Sequence, residues 1–170
     1  MKKLLYLLPL LLFGCSMNYT VEYVPTSKDA HDITVDMRVV DTLQPNVYVI
    51  ECYFTCDTLP INSISLVVCY DSLVEFEDAI EINKKLYINE YDDLGNLGGT
   101  FFLNTGRQLR YSFATVQDVS FSNEFIFRSI VRINGETAIT FSKVPDEVEF
   151  TDKMAVPYFV KTVHLKFTKK

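Results

Sequence analysis

The stretch ITVDMRV, residues 33–39, decides the fold class, because its apolar and polar residues alternate strictly. Alternation with a period of two places every second side chain on one face, which is the pattern of a half-buried β-strand. An amphipathic helix would need apolar residues three and four positions apart, and no such run of ten residues appears after residue 14. Residues 33–39 therefore predict a strand within an all-β domain.

The same reading extends through the rest of the chain. A turn at residues 43–46 leads into an apolar strand at 47–56, which Asp57-Thr58-Leu59-Pro60 is expected to break. Further strands are predicted at 64–70, 80–82, 86–88, 100–103, 109–116, 125–133, 136–141, 148–150 and 158–167, with one helical turn possible at 76–79. Many short strands joined by turns in one domain predict a β-sandwich.

Asn134-Gly135 stands between two of these predicted strands. Asn-Gly is the strongest short hairpin signal, because both central residues of a type I′ turn need a positive φ. The pair therefore predicts a hairpin that joins residues 125–133 to residues 136–141.

The segment FIFRSIVRINGET, residues 125–137, resembles the F strand and F–G hairpin of a fibronectin type III-like domain. Residues 47–54 and 64–72 resemble strands B and C of such domains in bacterial surface lipoproteins, and the likeness covers roughly residues 33–150. Phe125 replaces the Tyr usual in the family, and the Trp of strand B has no counterpart. The resemblance implies a single immunoglobulin-like β-sandwich with antiparallel strands that serves as a binding or spacer module. A transthyretin-like sandwich of secretion-system lipoproteins is the alternative.

The first fifteen residues have the features of a secretory signal. Lys2 and Lys3 precede an apolar run at residues 4–13, and Gly14 stands before Cys15. This run is too short to span a bilayer, which takes about 20 residues. Residues 12–15, LFGC, resemble the lipobox of bacterial lipoproteins.

The lipobox resemblance implies cleavage after residue 14 and acylation of Cys15, with Ser16 permitting sorting to the outer membrane. Two or three acyl chains hold a protein far more firmly than one. The chain then divides into a signal peptide (1–14), a lipidated tether (15–31) and a β-sandwich domain (32–170) with a long acidic connection at 71–99.

Charge is distributed unevenly along the chain. Residues 71–93 carry eight acidic side chains against two lysines, whereas the chain from Lys153 onward carries five lysines and no acid. Such asymmetry can steer and orient a partner, although a solvated loop is the simpler explanation. The candidate partner-binding residues are Asp71, Glu75, Glu77 and Asp78. A net charge of −6 argues against a nucleic-acid partner, whose phosphates require a basic surface.

Motifs for catalysis are not found in the sequence. His31 and His164 lie far apart, and no His-Glu-x-x-His, Gly-x-Ser-x-Gly or phosphate-binding glycine loop occurs. We therefore expect no catalytic residue, and a hydrolase that uses two carboxylates is the less favoured alternative.

Three cysteines besides Cys15 supply too few ligands for a closed zinc site. Cys52 and Cys56 would lie about 13 Å apart in one strand, beyond disulfide reach. A disulfide from Cys69 to one of them and buried free thiols both stay open. Asp92, Asp93 and Asn96 lack the spacing of an EF-hand, so neither a metal nor a cofactor is expected.

These observations favour a cell-envelope lipoprotein that acts as a non-catalytic binding module for a protein or glycan partner. The alternative is a structural subunit that anchors a secretion or fimbrial assembly to the membrane.

Replacement of the candidate lipidation residue, Cys15→Ser, is expected to abolish lipid attachment, because the thiol is the acylated group. The product should be uncleaved precursor or a soluble form, distinguished by detergent partitioning and intact-mass measurement. A variant that still carries the mass of a diacylglyceryl group would contradict the lipobox assignment.

Overall fold

The structure is a computed structural model that describes residues 19–26, 32–86, 89–91 and 97–170. Its strands are β1 (Tyr19–Pro25), β2 (Ile33–Gln44), β3 (Val47–Cys69), β4 (Val74–Ile82), β5 (Asn89–Tyr91), β6 (Leu97–Asn104), β7 (Gln108–Ile133), β8 (Thr137–Phe141), β9 (Val148–Thr151) and β10 (Val160–Lys169). Two 3₁₀ turns lie at Lys84–Leu86 and Pro145–Glu147. The all-β class predicted from the sequence is confirmed. Among the described residues, no helix is long and apolar enough to cross a membrane.

Two long strands, β3 and β7, form a continuous antiparallel ribbon that passes through both layers of the sandwich. Their pairing runs from Val47↔Arg132 to Cys69↔Gln108, with register shifts between Thr55 and Leu59 and between Ile61 and Ser63 of β3. Residues 47–56 of β3 and 123–133 of β7 lie with β2 and β4 in sheet 1. Residues 59–69 and 108–115 lie with β6, β8 and β9 in sheet 2.

The break predicted at residues 57–60 is wrong, since β3 runs on through them. The extra residues form an irregularity in the ladder, which bends and twists a strand without ending it. Pro60 is tolerated there because prolines occur in strands at bulges, where ladder hydrogen bonds are interrupted. The side-chain amide of Asn62 donates to the carbonyl oxygen of Thr115 across this bend.

One strand, β10, joins the two sheets a second time. Residues 160–163 pair in parallel with β2, and residues 165–167 pair antiparallel with β8. Strand β1 pairs with β10 from Tyr19↔Lys169 to Pro25↔Val163. Residues 19–25, which the sequence analysis placed in the tether, therefore belong to the domain, and buried Tyr19 adds to its core.

The acidic connection predicted at residues 71–99 contains paired strands. Strand β4 pairs with β7, and the start of β6 also pairs with β7. A register shift between Phe76 and Ile80 occupies the place of the possible helical turn, so that prediction is wrong. Pairing with β7 explains the difference, because it supplies backbone partners that a single helical turn lacks.

The Asn134-Gly135 hairpin is also wrong. Strand β8 pairs with β10 and β3, whereas the sheet partners of β7 are β3, β4 and β6. Within the described ranges the only residues with a positive φ are Gly106 and Ala155, so Gly135 does not form a type I′ turn. A Cβ at Gly135 would lie 3.0 Å from Cδ1 of Leu73. Glycine therefore allows Leu73 to pack closely against the backbone between β7 and β8, where a larger residue would require the Leu73 side chain to shift.

Aromatic side chains fill the space between the sheets. Phe54 of sheet 1 packs on Phe150 of sheet 2 with ring centroids 5.6 Å apart. Two further ring pairs cross the core, namely Tyr48 with Phe167 at 5.3 Å and Phe102 with Phe127 at 5.7 Å. The hydroxyl of Tyr111 donates to the carbonyl oxygen of Leu86 at 2.8 Å, so this buried polar group is satisfied.

Truncation at the centre of this core, Phe54→Ala, is expected to lower the free energy of unfolding by about 3–5 kcal/mol, because a fully buried ring is replaced by a cavity. Phe101→Ala is the matched control, since Phe101 is 54% exposed, and it should cost less than about 1 kcal/mol. Denaturant unfolding of both variants measures the difference. Equal losses would contradict the position of the core.

Candidate functional site

The acidic residues proposed from the sequence lie at and beside strand β4. Asp71 precedes the strand and accepts the backbone N–H of Leu73 at 2.8 Å, which stabilises the turn. Glu75 accepts the side-chain amide of Asn134 at 2.9 Å and lies 3.9 Å from Nε of Arg132. Glu77 is exposed, and the side chain of Asp78 lies outside the described part of the chain. Glu75, Glu77 and Asp78 thus belong to β4, an edge strand of sheet 1, and Asp71 lies in the turn before it.

The outer face of sheet 1 carries a row of alternating charges across four strands. Arg38, Glu51, Arg128 and Glu81 occupy neighbouring register positions on β2, β3, β7 and β4. Nε of Arg128 donates to Glu51 at 2.9 Å, and its Nη1 lies 3.4 Å from Glu81. The guanidinium of Arg38 lies over the ring of Tyr53, 4.0 Å from its centroid. These charges are largely compensated within the face itself.

An open groove of about 470 Å³ lies beside this row. Its apolar lining comes from Leu43, Val49, Ile80 and Ile130, with Arg128 at one side.

The outer face of sheet 2 has a different composition, because its floor is made of small side chains. Ser63, Ala114 and Gly99 form one row across β3, β7 and β6, and Ser65 and Ser112 begin the next. Ser112 and Ala114 are exposed, whereas the residues that alternate with them on β7 point into the core. The result is a shallow surface with no bulky side chain at its centre.

Larger side chains border this floor on both sides. On β6, Phe101 is 54% exposed and Leu103 is 43% exposed, and they lie opposite Ser112 and Arg110. On the other side Arg110 makes an ion pair with Glu147 at 3.2 Å, and Glu149 lies opposite Ser65. We call this surface the flat face, defined by Ser63, Ser65, Gly99, Phe101, Leu103, Arg110, Ser112, Ala114 and Glu149.

The sequence analysis did not identify the flat face. Its signal is present in the runs Ser63-Ile64-Ser65-Leu66 and Ser112-Phe113-Ala114, where small residues alternate with large apolar ones. That pattern indicates only that one face of each strand carries small side chains. Pairing of β3 with β7 and β6 is what joins the small residues into one surface.

The three cysteines of the described chain are free thiols. Cys52 is fully buried and its pKa is raised well above the usual thiol value, because burial disfavours the thiolate. The thiol of Cys56 donates to the carbonyl oxygen of Ser122 at 3.0 Å. Burial also raises the pKa of the partly exposed Cys69, and a hydrogen bond from Gln108 opposes this effect. Of the two open alternatives, the structure therefore supports buried thiols rather than a disulfide.

Metal ligands do not converge in the described part of the chain, where no group of three or more His, Cys, Asp or Glu side chains is placed to hold an ion. The calcium-loop residues Asp92, Asp93 and Asn96, like His31 and Cys15, lie outside the described residues. His164 is half-buried on β10, with Nε2 3.3 Å from the hydroxyl oxygen of Thr162.

Comparison with known protein families finds no match, and comparison with curated proteins finds none either. Solved structures do match. A cohesin of Clostridium acetobutylicum is 13% identical, with a TM-score of 0.59 over 82% of this chain and 90% of that one.

Two further cohesins show the same likeness. The sixth cohesin of scaffoldin B from Acetivibrio cellulolyticus, solved in complex with a Cel5 dockerin, is 12% identical, with a TM-score of 0.58 over 78% of this chain and 94% of that one. A non-cellulosomal cohesin of Archaeoglobus fulgidus is 14% identical, with a TM-score of 0.54 over 78% and 88%. The chain therefore has a cohesin-like fold, which confirms the predicted immunoglobulin-like β-sandwich.

Thiol reactivity should follow burial. Iodoacetamide is expected to alkylate Cys69 at least about tenfold faster than Cys52 in the folded protein, because Cys52 is both inaccessible and held as the thiol. Peptide mass mapping after timed alkylation measures both rates, and alkylation in denaturant provides the control in which the rates converge. Equal rates in the folded state, or a disulfide-linked peptide, would contradict this arrangement.

Proposed function

We propose that this chain is a non-catalytic binding module of the bacterial cell envelope, anchored by lipid on Cys15, and that it holds a protein partner on the flat face. The observation that carries the proposal is the combination of a small-residue floor with the exposed side chains of Phe101 and Leu103.

The physical argument rests on close approach. Serines and Ala114 let a partner's backbone or helix come near the sheet, so that contact is made over a broad area rather than at isolated tips. Phe101 supplies apolar area that gains free energy when it leaves water, at about 25 cal/mol per Å². Arg110 and Glu149 form a polar border that can select among partners, because an apolar centre within a polar rim is the usual anatomy of an interface.

The comparisons support a protein partner over a glycan. Several of the similar structures are cohesins in complex with dockerins, which are protein modules. At 11–12% identity these likenesses concern the fold, so the partner of this chain is proposed from its own surface.

The proposed anchor limits how the domain is presented. Tyr19 begins β1 beside Lys169, at the end of the sandwich that also holds the turn at residues 45–46. Cys15 precedes Tyr19 by four residues, which span at most about 14 Å when fully extended. Lipidation at Cys15 would therefore hold this end near the membrane and leave the flat face on a side of the domain.

The acidic residues of β4 belong to a second proposed contact region. Asp71, Glu75 and Glu77 lie in or beside sheet 1, whereas the flat face lies on sheet 2. Neutralisation of Asp71, Glu75, Glu77 and Asp78 therefore separates the two regions. Binding that tolerates this change and fails on the flat face assigns the partner to sheet 2.

Partner contact can be tested by photo-crosslinking in cells that produce the full-length chain. A photoreactive residue at position 112 should crosslink one envelope protein, and the purified pair should bind with a Kd that Ser112→Arg raises by about 30-fold or more, since blocking a hot spot costs about 2 kcal/mol. Thr42→Arg is the matched control, because Thr42 is an exposed threonine on β2 of sheet 1. It should leave the Kd unchanged.

The same measurement distinguishes the alternatives. A partner that tolerates Ser112→Arg and Phe101→Ala, yet loses affinity with the neutralised acidic residues, would reject the flat face. The absence of any crosslink at position 112 would do the same. Thermal unfolding of each variant excludes loss of the fold as the cause.

A further inference from the structure

A second, smaller cavity lies where β10 changes its partner from β2 to β8. Its volume is about 240 Å³, and its lining is partly polar and partly apolar. Thr26, Thr162, His164 and Lys143 supply the polar side, whereas Val144 and Val160 belong to the apolar side.

Hydrogen bonds order the hydroxyl groups at the polar side. Thr26 Oγ1 donates to the carbonyl oxygen of Thr162 at 3.0 Å and accepts the backbone N–H of Thr162 at 3.3 Å. The hydroxyl oxygens of the two threonines lie 3.0 Å apart, and that of Thr162 lies 3.3 Å from Nε2 of His164. These contacts hold the Nε2 side of the imidazole against the hydroxyl group of Thr162.

The ionisable side chains that line the cavity are basic, namely Lys143 and His164. Burial, and next the charge of Lys143, lower the pKa of His164 below 6.5. The carboxylate of Glu147 is occupied, since it accepts from Ser142 at 2.5 Å and from Arg110 at 3.2 Å.

Two carboxylates of the neighbouring strands β1 and β2 are each bound by a basic side chain. Glu22 of β1 is paired with Lys166 at 3.4 Å, and Arg38 binds Oδ2 of Asp36 on β2, whose Oδ1 is buried without a hydrogen-bond partner. Lys161 of β10 adds a further positive charge to the same strand. None of the described residues that line the cavity carries a carboxylate, so an anion entering it would contact Lys143 and His164 directly.

We propose that this cavity binds a carboxylate that carries a short apolar group. The carboxylate would lie between Lys143 and His164, where a charge-assisted hydrogen bond is stronger than a neutral one. The apolar group would contact Val144, Val148 and Val160, which a purely inorganic anion would leave in water. A small carboxylic acid and the C-terminal residue of a peptide share this chemistry.

The test uses butyrate and NMR titration of the folded protein. Bound carboxylate stabilises the imidazolium, so butyrate should raise the pKa of His164 by about one unit. By linkage, butyrate should bind more tightly as the pH falls from about 7 toward about 6, a range in which the carboxylate remains ionised. The ring signals of His31 provide an internal reference, and a His164→Gln variant assigns the two imidazoles.

Two ligand controls and two variants make the result decisive. Butyramide has the shape of butyrate without its charge and should not shift His164, while phosphate should shift it less because it leaves the valines uncovered. Lys143→Met should weaken butyrate binding by about tenfold, whereas Lys161→Met should not, because Lys161 does not line the cavity.

N-Acetylvaline distinguishes the two sources of the carboxylate. Tighter binding than that of butyrate indicates the C-terminal residue of a peptide, and weaker binding indicates a small carboxylic acid.

Three results of these titrations would contradict the proposed carboxylate site. No response of His164 to butyrate at about 50 mM, an equal response to butyramide, or unchanged binding in Lys143→Met would each overturn the proposal. Lys143 is exposed, so its replacement should preserve the fold, and the core signals of the same spectra verify this.

Discussion

The continuous pairing of β3 with β7 is the constraint on which the rest of the structure depends. One half of each strand lies in each sheet. Both the polypeptide chain and its ladder of hydrogen bonds therefore continue from one layer to the other through the bend. Phe121 lies at that bend and contacts Phe54 with ring centroids 5.8 Å apart, which fills the corner where the ladder is irregular. The remaining strands add to the two halves of this ribbon, and β10 joins the sheets again on the other side.

The two outer faces follow from the same ribbon. The outward-facing side chains of residues 47–56 and 123–133 include Glu51 and Arg128, which form an ion pair across the strands, and the apolar Val49 and Ile130, which line the groove. Those of residues 59–69 and 108–115 are mostly short, apart from Arg110, which pairs with Glu147 at the border of the face. The charges of the first face are therefore largely compensated by its own ion pairs, whereas the second face has a floor of small side chains that a partner can approach closely. Surface ion pairs contribute little to stability, so this difference concerns recognition more than folding.

Several sequence predictions were confirmed because they depend only on residues that are close together along the chain. The alternation at residues 33–39 predicted a strand, and β2 begins at Ile33. The turn at residues 43–46 was also correct, since β2 ends at Gln44 and β3 begins at Val47. The failures share a different cause. Both failures concern segments with the composition of turns. The conformation of residues 57–60 is set by pairing with β7, and that of Asn134-Gly135 by packing against Leu73; in each case the partner lies far away in sequence.

The sequence by itself determined the all-β class, most strand positions and the uneven distribution of charge, and it predicts lipidation at Cys15. Each of these depends on residues that are neighbours along the chain, whose spacing is visible without a structure. Only the tertiary structure decided that β1 is part of the domain, that β7 continues through both sheets, and that Ser63, Ser112 and Phe101 share one surface. Strand pairing determines which distant residues become neighbours. The alternation of side chains along a strand shows which residues share a face, but it does not show which other strand lies beside them.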